Sequence, residues 1–198
     1  MRYDSEHKQR TRERVLKEAG KAIRAKGPSN VGVADVMAKA GLTHGGFYAH
    51  FANRDDMLGA AIDRMFEEAG ARFRKVGAAQ SDPARILDDY VDFYLSPAHR
   101  DTRTSGCPLP FLSADAPRLP AASREAYAAG VERLTARIAE QLSLMNHPQP
   151  WSTASSALSE LVGALALARA DPDPARADQR LASSRLSVKR RLGLEVTQ

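Results

Sequence analysis

The sequence is short of cysteine. Its 198 residues include one, Cys107, so no disulfide can form within the chain and no cysteine cluster can hold a metal. No apolar run comes near the roughly 20 residues that a membrane-spanning helix needs. The opening stretch, MRYDSEHKQRTRERV, is charged throughout and has no apolar signal core, so the expected location is the cytoplasm, away from any membrane. There is no period-two alternation of the kind that marks a strand, no repeat and no low-complexity tract. A serine elbow, a phosphate-cradling glycine loop, paired catalytic carboxylates and a zinc spacing are missing too. Neither an enzyme nor a cofactor is expected. Lysine is absent between Lys75 and Lys189, so any cation near Cys107 must be arginine or histidine.

The remaining composition is that of an ordinary globular chain, 43% hydrophobic and 27% charged. The net charge of +5 is unevenly placed. Residues 1–60 hold 11 Lys/Arg and 7 Asp/Glu, residues 61–173 hold 12 and 15, and residues 174–198 hold 6 and 2. A basic head before an acidic middle suits a polyanion as partner of the head, although charges that merely solvate helix faces give the same tally.

Helical periodicity runs through the chain. From about Lys8 to Lys26, Val15, Leu16, Ala19, Ala22 and Ile23 form one buried stripe, and Gly27-Pro28 stops the helix. A short second helix follows over 33–40, with Val33, Val36, Met37 and Ala40 inward. Thr43 is expected to cap a third helix over about 44–50. Asn53 caps a fourth, with Asp56 in the capping-box position, and its stripe runs from Leu58 to Val76. Asp82-Pro83 opens a fifth helix. Residues 96–120 read as irregular, with a turn or two of helix near Pro108–Asp115. Further helices are expected over 121–144, from Ser152 onward, and from about Ala175 to Leu192. The fold class is all-α, about nine helices.

The stretch GLTHGGFYAHF at 41–51 carries the chemistry. A helix, a tight glycine turn and a brief third helix have the spacing of a helix-turn-helix. Phe47 and Phe51 are four apart and share a face, so they can anchor the third helix on a small core. Gly45 and Gly46 cost about 1 kcal/mol each as helix residues, but they leave the leading end of the helix bare. A bare end lets backbone approach phosphates and base edges closely. His44 and His50 are six residues apart and point to different faces, which does not suit a metal.

On these residues the sequence resembles the TetR family of bacterial transcriptional regulators. VADVMAKAGLTHGGFYAHFANRDDML is similar to that family's DNA-binding signature, and the likeness covers roughly residues 8–60. The resemblance implies that Thr43 and Tyr48 contact phosphates, that His44, Gly45 and Gly46 face base edges, and that His50 lies near the DNA backbone. Arg54 stands where a lysine usually grips a phosphate, and Val33, at the start of the second helix, joins this DNA-binding set. Gly32 replaces the usual hydroxyl-bearing cap, leaving Asn30 or nothing to take over its phosphate. The family also implies a homodimer built from the last two helices, a palindromic double-stranded DNA operator and a small-molecule effector. Residues 1–53 would then be the DNA-binding domain and 54–198 the ligand-binding and dimerisation domain. Gly163, Ala164, Ala166 and Ala168, with Leu158, Leu161, Val162 and Leu165, would form the dimer face.

A ligand pocket in the second domain is expected to draw on Phe66, Tyr90, Tyr94, Phe111 and Tyr127, with Trp151 a weaker choice. Each of these is equally what a plain core would use. Cys107, just before Pro108 and a short helix, joins them as a candidate electrophile or oxidant sensor, since a helix N-terminus favours a thiolate. The short Gly-Cys likeness here is to the N-ethylmaleimide-responsive members of the family. A buried inert thiol is the competing reading. A sequence-indifferent DNA-packaging protein is a rival for the whole chain, but it leaves the large second domain and its aromatics without a purpose.

Overall fold

The computed structural model describes residues 2–78 and 81–194, with side chains described from residue 6 onward. Among the described residues there are nine α-helices, three short 3-10 helices and no strand. The helices are α1 (Arg2–Lys26), α2 (Val33–Lys39), α3 (Arg54–Gly77), α4 (Pro83–Tyr94), α5 (Pro97–Asp101), α6 (Leu109–Leu112), α7 (Ala121–Leu144), α8 (Pro150–Ala170) and α9 (Pro174–Arg191). No helix among the described residues is long and apolar enough to cross a membrane. Two compact units emerge from the packing: Met1–Glu68 with Arg103–Gly130, and Ala69–Thr102 with Val131–Gln198.

In the first unit, α1 buries Val15, Leu16, Ala19, Ala22 and Ile23, the stripe read from the sequence. Val36 and Met37 of α2, Phe47 and Phe51, and Met57, Leu58, Ala61, Ile62 and Met65 of α3 complete that core. The α1 helix begins earlier than expected, at Arg2 rather than near Lys8. Its charged opening contains no Gly or Pro to stop a helix, so polarity alone misled the reading. Arg14 Nη2 donates to the Ala40 carbonyl at 2.9 Å, which satisfies the C-terminal end of α2.

The expected caps divide by chemistry. Asn53 Oδ1 accepts from the Asp56 N–H at 2.9 Å, and Asp56 Oδ2 accepts from the Ala52 N–H at 2.9 Å. Asp82 Oδ1 accepts from the Ala84 N–H at 3.1 Å, with Pro83 opening α4. Ser152 is not a cap. Pro150 opens α8 from Gln149 instead, because a proline at the first helical position lacks the N–H that a cap would satisfy.

In the second unit, α8 and α9 pack along their length, and α4 packs against both. Leu158, Leu161, Ala164, Leu165 and Ala168 of α8 are buried within the chain, as are Leu181 and Val188 of α9. Lys189 Nζ sits 2.7 Å from Asp88 Oδ1 and 2.8 Å from Asp92 Oδ1, tying α9 to α4. The segment expected to be irregular holds a helix at Pro97–Asp101, capped by Ser96 Oγ accepting from the His99 N–H at 3.1 Å. Arg169 of α8 donates to the carbonyls of His99, Arg100 and Thr102 and so closes the other end of α5.

Candidate nucleic-acid interface

The α2 helix ends in a left-handed turn. Gly41 has φ 70°, the Leu42 N–H reaches back to the Met37 carbonyl at 2.9 Å, and the Gly41 N–H to the Ala38 carbonyl at 3.0 Å. This closure needs a residue that tolerates positive φ, which is why glycine stands there. Thr43 is extended and starts the next element, but its side chain makes no cap bond and is exposed.

The expected third helix is a 3-10 helix over His44–Ala49, not an α-helix. The Gly46 N–H bonds to the Thr43 carbonyl and the His50 N–H to the Phe47 carbonyl, three residues back in each case. Two adjacent glycines weaken any preference for the wider pitch, and short segments adopt the tighter one. The face assignment holds in this pitch. Phe47 and Phe51 are each 2% exposed, and their rings stack with centroids 5.5 Å apart. Tyr48 is 71% exposed and stands edge-on to Phe47. His44 and Gly45 are exposed, and Gly46 is half-buried. A Cβ added at Gly45 would meet nothing within 4 Å, and one at Gly46 would meet only the ends of Met37 and Thr43, at 3.8 and 3.9 Å. The fold therefore does not require glycine at either place.

The flanking residues are less free. Val33 is half-buried at the first position of α2, behind Gly32 as N-cap. Asn30 turns its amide to the Lys26 carbonyl at 2.8 Å, closing α1. Arg54 donates to the carbonyls of Val31 at 2.9 Å, Pro28 at 2.6 Å and Ser29 at 3.2 Å. Its guanidinium thus ties α3 to the Pro28–Asn30 turn. His50 is half-buried, and its Nδ1 is buried without a hydrogen-bond partner among the described residues. Burial, then the charges of Lys8 and Arg12, hold its pKa below the usual imidazole range.

Residues 15–61 match the sequence profile described as "Bacterial regulatory proteins, tetR family". Over this segment the chain is similar to the TetR family. Over 67 residues it is 31% identical to the HTH-type transcriptional regulator TtgR of Pseudomonas putida. It is also 31% identical over 67 residues to the probable HTH-type transcriptional regulator ArpR of the same species. Each match takes in 34% of this chain and 32% of the relative, so the chain spans about a third of the length of these relatives. Solved structures extend the likeness of fold to nearly the whole chain. A TetR transcriptional regulator from Chloroflexus aurantiacus superposes with a TM-score of 0.79 at 22% identity, over 96% of this chain and 98% of that one. Escherichia coli NemR in its reduced form gives 0.77 at 20% identity, over 91% and 96%.

The expected ligand residues fall into both compact units. Tyr90 and Tyr94 lie in the second, buried beside Phe73, with Tyr90 4.6 Å from Phe73 and 5.7 Å from Tyr94. Phe66 and Tyr127 pair in the first at 5.9 Å, and Tyr127 Oη lies 3.0 Å from Ser113 Oγ. Phe66 also covers Gly130, where its ring leaves no room for a Cβ. Phe111 is half-buried on α6, and Trp151 is 48% exposed at the start of α8. An open cleft of about 330 Å³ between α1 and α3 contains none of the expected ligand residues. It is lined mainly by the mixed charges of Arg12, Glu13, Asp63, Arg64 and Glu67.

Cys107 is 5% exposed and follows Gly106, whose φ of 97° turns the chain. Pro108 takes the N-cap position of α6 rather than its first helical position. The unforeseen neighbour is Arg24 of α1, itself 6% exposed. Its Nη2 lies 3.1 Å from Glu68 Oε2 and 3.1 Å from the Gly106 carbonyl, and its charge acts on the thiol position. Burial pulls the Arg24 pKa down, and Glu68 opposes this. The sequence held a signal for it, since Arg24 is four residues from Gly20 and adjoins the buried Ile23. Arg12 was missed in the same way: its Cζ lies 4.9 Å from the centre of the Phe51 ring.

Proposed function

We propose that this chain is a transcriptional repressor that binds a palindromic operator in double-stranded DNA as a homodimer and is released by a small-molecule effector. The exposed Thr43, His44, Gly45 and Tyr48, held by the buried Phe47 and Phe51, are the observation that carries this reading. They form one short element with a bare leading end and an apolar back. Thr43 and Tyr48 supply phosphate contacts, His44, Gly45 and Gly46 meet base edges, and Val33, His50 and Arg54 border the contact. Residues 1–53 act as the reading head and 54–198 as the effector and dimerisation part, in the cytoplasm where the DNA is.

Selection from a random-sequence duplex pool tests this. The expected product is an inverted repeat whose half-sites lie about 34–36 Å apart, one helical turn, bound far more tightly than unrelated duplex. Equal binding to every duplex would replace the repressor with a packaging protein.

A second reading concerns the effector. The guanidinium of Arg24 beside Cys107 favours a thiolate, which suits a sensor of electrophiles or oxidants. The solved NemR structure of similar fold is of a reduced form. The rate of Cys107 alkylation against pH tests this reading. Alkylation that follows an apparent pKa at or above the free-cysteine value of about 8.5 would leave Cys107 an inert core thiol, and faster alkylation at neutral pH than a free thiol shows would support the sensor.

A further inference from the structure

We propose that Lys8 and Arg12 of α1 form, with His50, a clamp for the phosphate backbone of duplex DNA beside the reading element. This rests on the DNA-binding reading above and adds residues that lie outside the helix-turn-helix itself. Lys8 and Arg12 are four apart and so share one side of α1. Thr11 and Val15, next to them on the helix, are buried, so this edge of α1 lies against the core of the head.

The position of Arg12 is fixed by an aromatic contact. Its guanidinium carbon stands over the Phe51 ring at 4.9 Å, a cation–π arrangement that holds a charge in place without neutralising it. Phe51 stacks on Phe47, Phe47 meets Tyr48 edge-on at 5.3 Å, and the His50 ring lies 6.4 Å from Phe51. A continuous series of rings therefore links the exposed Tyr48 to Arg12 and His50.

The electrostatics of the cluster point to an anion. Lys8 and Arg12 are both near enough to His50 to oppose its protonation, and its Nδ1 has no protein partner among the described residues. Two cations beside the same imidazole repel one another, and an anion placed among them relieves that repulsion. The DNA backbone supplies such anions at regular spacing along each groove edge. Glu13 and Asp63 share a cleft with Arg12 but not with Lys8, so Lys8 is the cleaner reporter of the clamp.

The test measures binding by the full chain to a duplex enriched by the unaltered protein from a random pool, across a series of salt concentrations. Each phosphate contact contributes about 0.9 to the slope of log affinity against log salt. Lys8→Ala should make that slope shallower by about this amount. It should weaken enriched and unrelated duplexes by the same factor, and Lys8→Arg should restore the slope. Arg12→Ala also removes the contact with Phe51, so Arg12→Lys and a melting curve separate lost charge from lost packing. An unaltered slope in Lys8→Ala, with the parent protein binding steeply, would overturn the clamp and leave the repressor standing. Duplex binding by the parent protein with no salt dependence would overturn both.

Discussion

Arg54, the first residue of α3, donates from Nη2 to the Pro28 carbonyl at 2.6 Å and from Nε to the Val31 carbonyl at 2.9 Å. A third bond reaches Ser29 at 3.2 Å. The side chain therefore fixes the turn between α1 and α2 to the start of α3. Bonds from a charged donor contribute about 1.5–3 kcal/mol, and the bound carbonyls lose their partner when it is cut away. Arg54→Ala should lower stability by about 2 kcal/mol by urea unfolding. Arg54→Lys should recover only part, since an ammonium cannot copy the planar fork. A variant as stable as the parent would return Arg54 to the role of free phosphate contact.

Gly45 offers a different separation of fold from function. The space around its missing Cβ is empty, and its φ is not in the left-handed region. Gly45→Leu should leave the melting temperature essentially unchanged, since a surface substitution of this kind shifts stability by about 0.5 kcal/mol or less. It should nevertheless abolish binding to the enriched duplex, because bulk at the leading end holds the backbone away from the groove. Normal binding by this variant in a gel-shift titration would show that another side faces the DNA.

The parts of this head that could be read from sequence are those set by local spacing. Phe47 and Phe51 lie four apart and are buried in either helical pitch, so the anchoring face survived the change from α to 3-10. The Asn53–Asp56 and Asp82 caps were legible because each bond joins residues within one helical turn. The structural bonds of Arg54 were not legible because its partners lie 23 to 26 residues earlier and are carbonyls, which every residue has. Arg24 beside Gly106 spans 82 residues and leaves no local pattern. The expected dimer face shares some of its leucines with the packing of the chain itself. Leu158, Leu161 and Leu165 are apolar enough for a partner chain, but α9 and α4 of the same chain already pack against that helix.

His99 should make stability depend on pH. It is 3% exposed, stacks on Phe93 at 5.0 Å, and donates from Nδ1 to the Tyr94 carbonyl at 2.8 Å. Burial, with Arg169 and Arg72 adding to it against that backbone bond, brings its pKa down from 6.5 to about 4. The unfolded chain therefore binds more protons than the folded one between these values. The stability of the neutral form is fully present above pH 6.5 and is lost as pH falls toward about 4. The loss is on the order of 3 kcal/mol at 1.36 kcal/mol per pKa unit. Urea midpoints measured down this range should fall more steeply for the parent than for His99→Phe, and equal slopes would show that His99 titrates as it does in water.

The surface left on α8 for a second copy is narrower than the sequence suggested. Val162, Gly163 and Ala166 are half-buried and Leu167 is 56% exposed, and their spacings of three and four put them on one face. A Cβ at Gly163 would meet nothing within 4 Å. Leu186 of α9, 42% exposed, adds apolar area in the same unit. A homodimer using this face would bury Leu167, and a carboxylate in its place would lose hydration with no partner. Leu167→Glu should therefore shift the protein from dimer to monomer in sedimentation equilibrium, with its helical circular dichroism intact. DNA affinity should fall with it, since one head alone meets a single half-site. A dimer that persists in Leu167→Glu and in Leu186→Glu would move the interface off this face.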